Sequence, residues 1–272
     1  LDVLERLFGV RKPVIGACTL LALPGRPTHD SQGGIDRIVE DVVRDVRVLQ
    51  DAGVDALIFV NEKDFPYSKN ASPEVIAAAS AVIGRLHSEL RLPFGVDIFC
   101  DARASLAVAR ATGASFARGI FSGVYDTDMG LIERDWGELA AYRRSIGADD
   151  VAVFTYVSAE YGRSLSNRSL AERAECAAFL GFDALLVTGL HSGMALNLDD
   201  LRTAKQAAGE VPIIAANGVT STTAEAILTI ADGALVGSDI REDGSIWRPV
   251  DPIRTARLIE TVRAIRTPRN RG

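Results

Sequence analysis

The sequence holds little of what metal, redox and nucleophile chemistry usually needs in concentrated form. Only three histidines and three cysteines occur in 272 residues. Cys18, Cys100 and Cys176 form no CxxC pair and show no metal-ligand spacing, so each reads as a small core residue. No apolar run approaches the ~20 residues of a membrane helix, and no signal-peptide pattern opens the chain. The expectation is a cytoplasmic protein that does not span a membrane. Thirty basic residues face 36 acidic ones, a formal net charge of −6. With no dense Lys/Arg run before the last few residues, nucleic acid is excluded as a partner. Missing too are GxGxxG, a Walker loop, a GxSxG elbow, HExxH and a DFG-type set. No cofactor and no resident metal is expected.

What the chain does have is alternation. The stretch VPIIAANGVTSTTAEAILTIADGALVGSD (211–239) reads as strand, Gly turn, helix (Ser221 to Ile230), strand and Gly turn. Two apolar strands joined by one helix make a parallel βαβ unit. Upstream, short apolar runs alternate with helical periodicity six more times. The clearest helix carries Ile35, Ile38, Val39, Val42, Val43, Val46 and Leu49 on one face and stops at Gly53. Eight such units in a chain with 47% apolar residues predict an α/β fold closed as a (β/α)₈ TIM barrel. A doubly wound open sheet is the alternative, but it normally carries a Gly-rich dinucleotide turn after its first strand. The whole chain, 1–272, is expected to be one barrel domain. Residues 1–12 would plug its lower end, and 267–272 would form a disordered tail.

Strand parity selects candidate site residues, because outward positions must be apolar and the alternate ones enter the lumen. Val96 and Ile98 suit the outside, which turns Asp97 inward; Arg118 is best placed inward on the next strand. In the fifth strand Val151, Val153, Val157 and Ala159 form the outward set, leaving Tyr156, Ser158 and Glu160 inward near the rim. Asp97 and Arg118 are either an internal ion pair or part of a catalytic group. The catalytic set under the second reading is Asp97 as acid–base residue, Glu160 assisting, Arg118 orienting, and Asn61 at the rim. A cluster of Asp97, Asp128 and Glu160 that holds a hard divalent cation is a weaker alternative, without supporting spacing. A phosphate or other anion is expected among Gly189, Ser192, Gly193, Asn217, Gly218, Gly237 and Ser238, where glycine lets backbone N–H groups approach a ligand.

With these residues placed, the chain resembles the BtpA family over nearly its whole length. The similarity is most specific in DALLVTGLHSG, PIIAANGVT and ADGALVGSDIREDGSIWRPVDP. KPVIGACTLLALPG, TDMGLIE and the stretch holding Asn61, Asp64 and Pro66 also follow the family pattern. The resemblance implies a TIM barrel of the phosphate-binding type. Some members of that family are linked to accumulation of photosystem I, and others accompany sugar-uptake genes. This chain departs where the family carries a His after the first strand, here Thr19. It departs again in YVSAEYG, where an acid, two histidines and a lysine give way to Tyr156, Ser158, Tyr161 and Glu160.

Two function classes follow. One is an enzyme acting on a small phosphorylated metabolite, of isomerase, epimerase or lyase type. The other is a non-catalytic binding or assembly factor that keeps the barrel and its anion pocket. A homo-oligomer is expected in either case.

Overall fold

Short runs of β-branched and aliphatic residues, each stopped by glycine, proline or a polar turn, become strands covered on both faces. The computed structural model describes residues 2–191 and 194–267. Eight parallel strands close a barrel: β1 (Val14–Thr19), β2 (Ala56–Val60), β3 (Phe94–Asp97), β4 (Phe116–Gly119), β7 (Ala152–Tyr156), β9 (Ala184–Val187), β10 (Ile213–Ala215) and β11 (Gly233–Val236). Three further strands, β5 (Gly123–Thr127), β6 (Ile132–Arg134) and β8 (Gly162–Ser164), form a small antiparallel sheet outside it. Strict βα alternation predicts no such strands, because each is short and finds its partners outside the barrel.

Helices α2 (Gly34–Ala52), α3 (Pro73–Arg85), α4 (Ala102–Thr112), α5 (Trp136–Ser145), α6 (Leu170–Phe179), α7 (Leu198–Ala207), α8 (Ala224–Leu228) and α9 (Pro252–Arg266) follow the barrel strands in turn. Ser169 and Glu172 complete a reciprocal capping box on α6. The helix expected over Ser221 to Ile230 shortens to Ala224–Leu228. Thr220 Oγ1 accepts the N–H groups of Thr222 and Thr223, which favours a turn over a first helical turn.

The helix α1 (Val3–Phe8) lies beneath the barrel, capped by Asp2 and closed by left-handed Gly9. Phe8 meets Phe116 and Phe154 edge-on at 5.6 and 6.5 Å, and those two rings stack at 4.7 Å. Gly95 makes room for this floor, since an added Cβ would lie 2.2 Å from the Phe116 ring. The lower ends of three strand pairs share one device. Asp55, Asp183 and Asp232 each precede a strand and accept the backbone N–H of Val14, Val153 and Ile213 on the strand before. The repeated GVDAL and GFDAL segments (53–57 and 181–185) carry two of these clamps.

A buried ion pair fixes the last loop. Arg241 donates to Asp45 on α2 at 2.9 Å, to the Arg248 carbonyl at 2.8 Å and to the Ala17 carbonyl at 3.0 Å. The other Asp45 oxygen accepts from Val250 N. Removing one partner of such a pair strands a charge in the interior, at a cost of about 3–5 kcal/mol. Asp45→Ala is therefore expected to lower the urea midpoint without changing the m-value. An unchanged midpoint would show that Arg241 finds other acceptors.

Candidate active site

Parity carries the site into the lumen. Val96 pairs with Ala117 across β3 and β4, so the next residues, Asp97 and Arg118, stand level and both point inward. Their side chains meet, Arg118 Nε donating to Asp97 Oδ2 at 2.6 Å, and both are about 2% exposed. Tyr156 enters from β7 with its ring centroid 5.6 Å from the Arg118 guanidinium carbon. Glu62, immediately above β2, brings Oε1 to 4.0 Å from Arg118 Nη2. The Thr19 hydroxyl lies near the Glu62 carboxylate but without the geometry of a hydrogen bond.

Glu160 closes the ring from the β7 side. Its Oε1 accepts from Thr188 Oγ1 at 3.1 Å and from Asn217 Nδ2 at 2.5 Å, while Oε2 has no partner. Burial pushes its carboxyl up to about 7, with Arg118 opposing the rise and Glu62 adding to it. Burial likewise raises Glu62 and Asp97, each opposed by Arg118. Three buried carboxylates thus share one guanidinium, which favours a proton on at least one of them near neutrality.

Four polar atoms at this level are buried without a hydrogen-bond partner: Thr19 Oγ1, Arg118 Nη2, Tyr156 Oη and Glu160 Oε2. Leaving such groups unpaired costs about 1–3 kcal/mol each. Arg118 and Tyr156 come from the adjacent β4 and β7, Glu160 from just past β7, and Thr19 from β1 across the barrel, a distribution suited to a polar ligand held between them. Above lie Tyr67, Phe99 and Tyr161, with centroid separations of 4.6–5.7 Å. Tyr161 holds a left-handed φ of 56°, a sparsely populated conformation for a non-glycine residue. Met129, in the β5–β6 turn, places its sulfur 3.7 Å from Cys100. The aromatic cluster and the small antiparallel sheet help to exclude water from the carboxylates.

Of the residues expected in catalysis, Asp97, Arg118 and Glu160 converge. Asn61 is buried nearby with its amide engaged: Oδ1 accepts from Phe99 N at 2.7 Å and Nδ2 donates to Asp64 at 2.7 Å. It fixes the chain leaving β2 against the chain leaving β3. Glu62 was missed, because it lies past the strand end where alternation no longer assigns a direction. Ala159 was assigned outward, yet it packs among the lumen residues. The strand ends at Tyr156, so period-two counting stops being valid two residues later. Among the described residues no group of three or more His, Cys, Asp or Glu side chains is placed to hold a metal ion, so Asp97, Asp128 and Glu160 do not form such a site.

Beside Glu160 opens a cavity of about 150 Å³ above β10 and β11, lined by Asn217, Gly218, Thr220, Gly237, Ser238 and Asp239 among others. Gly218 has a φ of 68°, and a Cβ there would lie 2.8 Å from Leu196 N. Gly237 is under no such demand, since a Cβ there would make only ordinary contact with Ala17. Gly189 lines a different cavity with Ser158, Thr188 and Arg173, and the backbone at Met194 and Ala195 closes against both Gly189 and Gly218. Ser192 and Gly193 lie outside the described residues. Asn217 joins the two regions, since it starts the glycine turn and donates to Glu160.

The BtpA family profile matches residues 10–264. The chain belongs to the BtpA family. It is 36% identical to the sgc region protein SgcQ of Escherichia coli over 97% of this chain and 98% of that one. Identity to the photosystem I biogenesis protein BtpA of Synechocystis is 32%, over 95% and 91% of the two chains. Among solved structures, Mycobacterium tuberculosis tryptophan synthase superposes with a TM-score of 0.60 at 15% identity, covering 98% and 99% of the chains. That likeness is one of fold, the TIM barrel. Four of the five positions expected to depart from the family pattern meet at this site, while Ser158 accepts from Thr188 N beside it. Thr19 and Tyr156 carry two of the four orphaned atoms, Glu160 a third, and Tyr161 forms part of the aromatic cover.

Proposed function

We propose that this protein is an enzyme that binds a small phosphorylated metabolite and moves a proton next to its carbonyl or hydroxyl, as an isomerase, epimerase or lyase does. The observation that carries this reading is Glu160: a buried carboxyl raised to about 7, with one oxygen held by Thr188 and Asn217 and the other unpartnered. A group titrating near neutrality suits both directions of proton transfer. Arg118 Nη2 and Tyr156 Oη are the donors for charge developing on substrate oxygen. The phosphate occupies the Asn217–Gly218 and Gly237–Ser238 turns, one residue from Glu160 through the Asn217 side chain. Its grip comes from backbone amides and hydroxyls, for Asp239 on that wall is already paired with Arg254. Ser192 and Gly193, which lie outside the described residues, belong to the same proposal by sequence alone, and Gly189 contributes from the neighbouring cavity.

A thermal-shift screen of phosphorylated sugars tests the site. Ligand at a hundred times its dissociation constant should add about 2.7 kcal/mol of stability. Gly237→Glu, whose side chain would fill the cavity, should erase the shift while the unliganded melting temperature stays near that of the parent. Equal shifts in parent and variant would place the phosphate elsewhere.

The non-catalytic binding or assembly reading is favoured by one observation. Several large apolar residues near the strands' C-terminal ends are exposed, among them Phe65, Leu131, Leu190 and Trp247. A flat ligand screen together with a stoichiometric co-purifying protein would support it.

A further inference from the structure

We propose a second small-molecule site between the β1–α2 loop and the first turn of α2, where Lys63 receives an anionic head group attached to a compact apolar body. The chain leaving β2 sends neighbouring residues to opposite sides. Glu62 faces Arg118 in the lumen, whereas Lys63 reaches Asp41 on α2. There it lines a cavity of about 240 Å³ with His29, Arg37, Ile38 and Trp247.

Lys63 is only 5% exposed, and its ion-pair partner Asp41 Oδ2 is 3.8 Å from Nζ, beyond hydrogen-bond reach. Asp41 is more closely engaged by Arg44. A buried ammonium with so little compensation is costly, and the cost appears as a lowered pKa. Burial is the main cause, the nearby Arg241 adds to it, and Asp41 and Asp45 oppose it. A ligand anion would supply the missing partner. The carboxylate that does line the cavity, Asp30, is engaged within its own loop, where Oδ1 accepts from Gln32 N and Gly33 N. Arg37 stands at the rim with Glu40 no nearer than 4.0 Å. The first turn of the 19-residue helix α2 contributes Gly34 and Arg37 to the lining, so its dipole adds to the positive field. Leu21, Ala22, Ile38 and the Trp247 indole provide the apolar wall. This cavity shares no lining residue with the one at Gly237.

Phenyl phosphate and benzoate are suitable probes, since both carry an anionic head on a compact ring and they differ only in the head. Trp247 is one of two tryptophans in the chain, so its emission reports occupancy. Titration of the full chain should give saturable quenching by at least one probe, and which probe saturates names the head group. The response should disappear in Trp247→Phe. Affinity should fall at least tenfold in Lys63→Met, about threefold in Arg37→Ala, and stay unchanged in Gly237→Glu. Undiminished binding in Lys63→Met, or no response of the parent protein to either probe, overturns the proposal. Loss of binding in Gly237→Glu would assign the response to the lumen-side cavity instead, which also overturns it. Because the parent titration needs no variant to fold, a destabilised Lys63→Met leaves the proposal open to refutation.

Discussion

Glu160→Gln is expected to lower kcat by about a hundred- to ten-thousand-fold, the usual worth of a positioned acid–base group. The substitution keeps the side chain's shape and leaves its carbonyl oxygen available to Thr188 and Asn217. KM should therefore change little. The substrate for this measurement is whichever phosphorylated compound stabilises the parent protein most. In the parent, the pH–rate profile should carry an apparent pKa close to that of this buried carboxyl, about 7, and the variant should lack that limb. A variant that turns over at the parent rate would remove Glu160 from the chemistry.

The same substitution has a thermodynamic signature with a fixed sign. The folded carboxyl titrates at about 7 against a usual 4.5, so the native state binds its proton more tightly than the unfolded chain does. The stabilising proton is fully in place below the unfolded value, and its contribution is lost as pH rises from there through about 7. The difference corresponds to about 3 kcal/mol. Glu160→Gln does not titrate and should not show this loss. Its stability relative to the parent should rise between pH 5 and pH 8, as read by urea midpoints. A flat difference across that window would mean that Glu160 is solvated more fully than its burial implies.

Asp97→Asn is the contrasting case. An internal pair of 2.6 Å, with both partners about 2% exposed, makes Asp97 the support of Arg118. Neutralising it leaves the guanidinium with Glu62 at 4.0 Å and no close carboxylate. The expected cost is about 3–5 kcal/mol, or a melting temperature lower by about 10 °C. Catalysis would fall as well, through misplacement of Arg118. Unchanged melting with abolished turnover would instead make Asp97 the base and reduce Glu160 to an accessory.

These two carboxylates show how far local pattern reaches. Alternation along β3 and β4 is a property of the backbone itself, so Asp97 and Arg118 could be assigned to the lumen from their neighbours alone. The same argument assigned Glu160 to the rim, but not its ionisation. That depends on what covers it: Thr188 from the end of β9, Asn217 from the end of β10, and the desolvation of the barrel mouth. Glu62 was hidden for a simpler reason. A residue beyond the last ladder bond has no periodic direction, and only the turn of the chain decides where its side chain goes.

The sequence by itself determined the (β/α)₈ barrel, the inward face of its strands and the glycine turns that line the cavity at β10 and β11. These rest on periods of 2 and 3.6 residues, on caps and on glycine, all of which act over a few positions. Tertiary structure alone decided the antiparallel sheet at the mouth, the Asp45–Arg241 tie, the separation of Gly189 from Gly218, and the raised pKa of Glu160. Each depends on groups far apart in the chain: Asp45 and Arg241 are 196 positions apart, Glu160 and Asn217 57. Desolvation and pairing are set by whichever groups folding brings within a few ångströms, and no local period encodes that proximity.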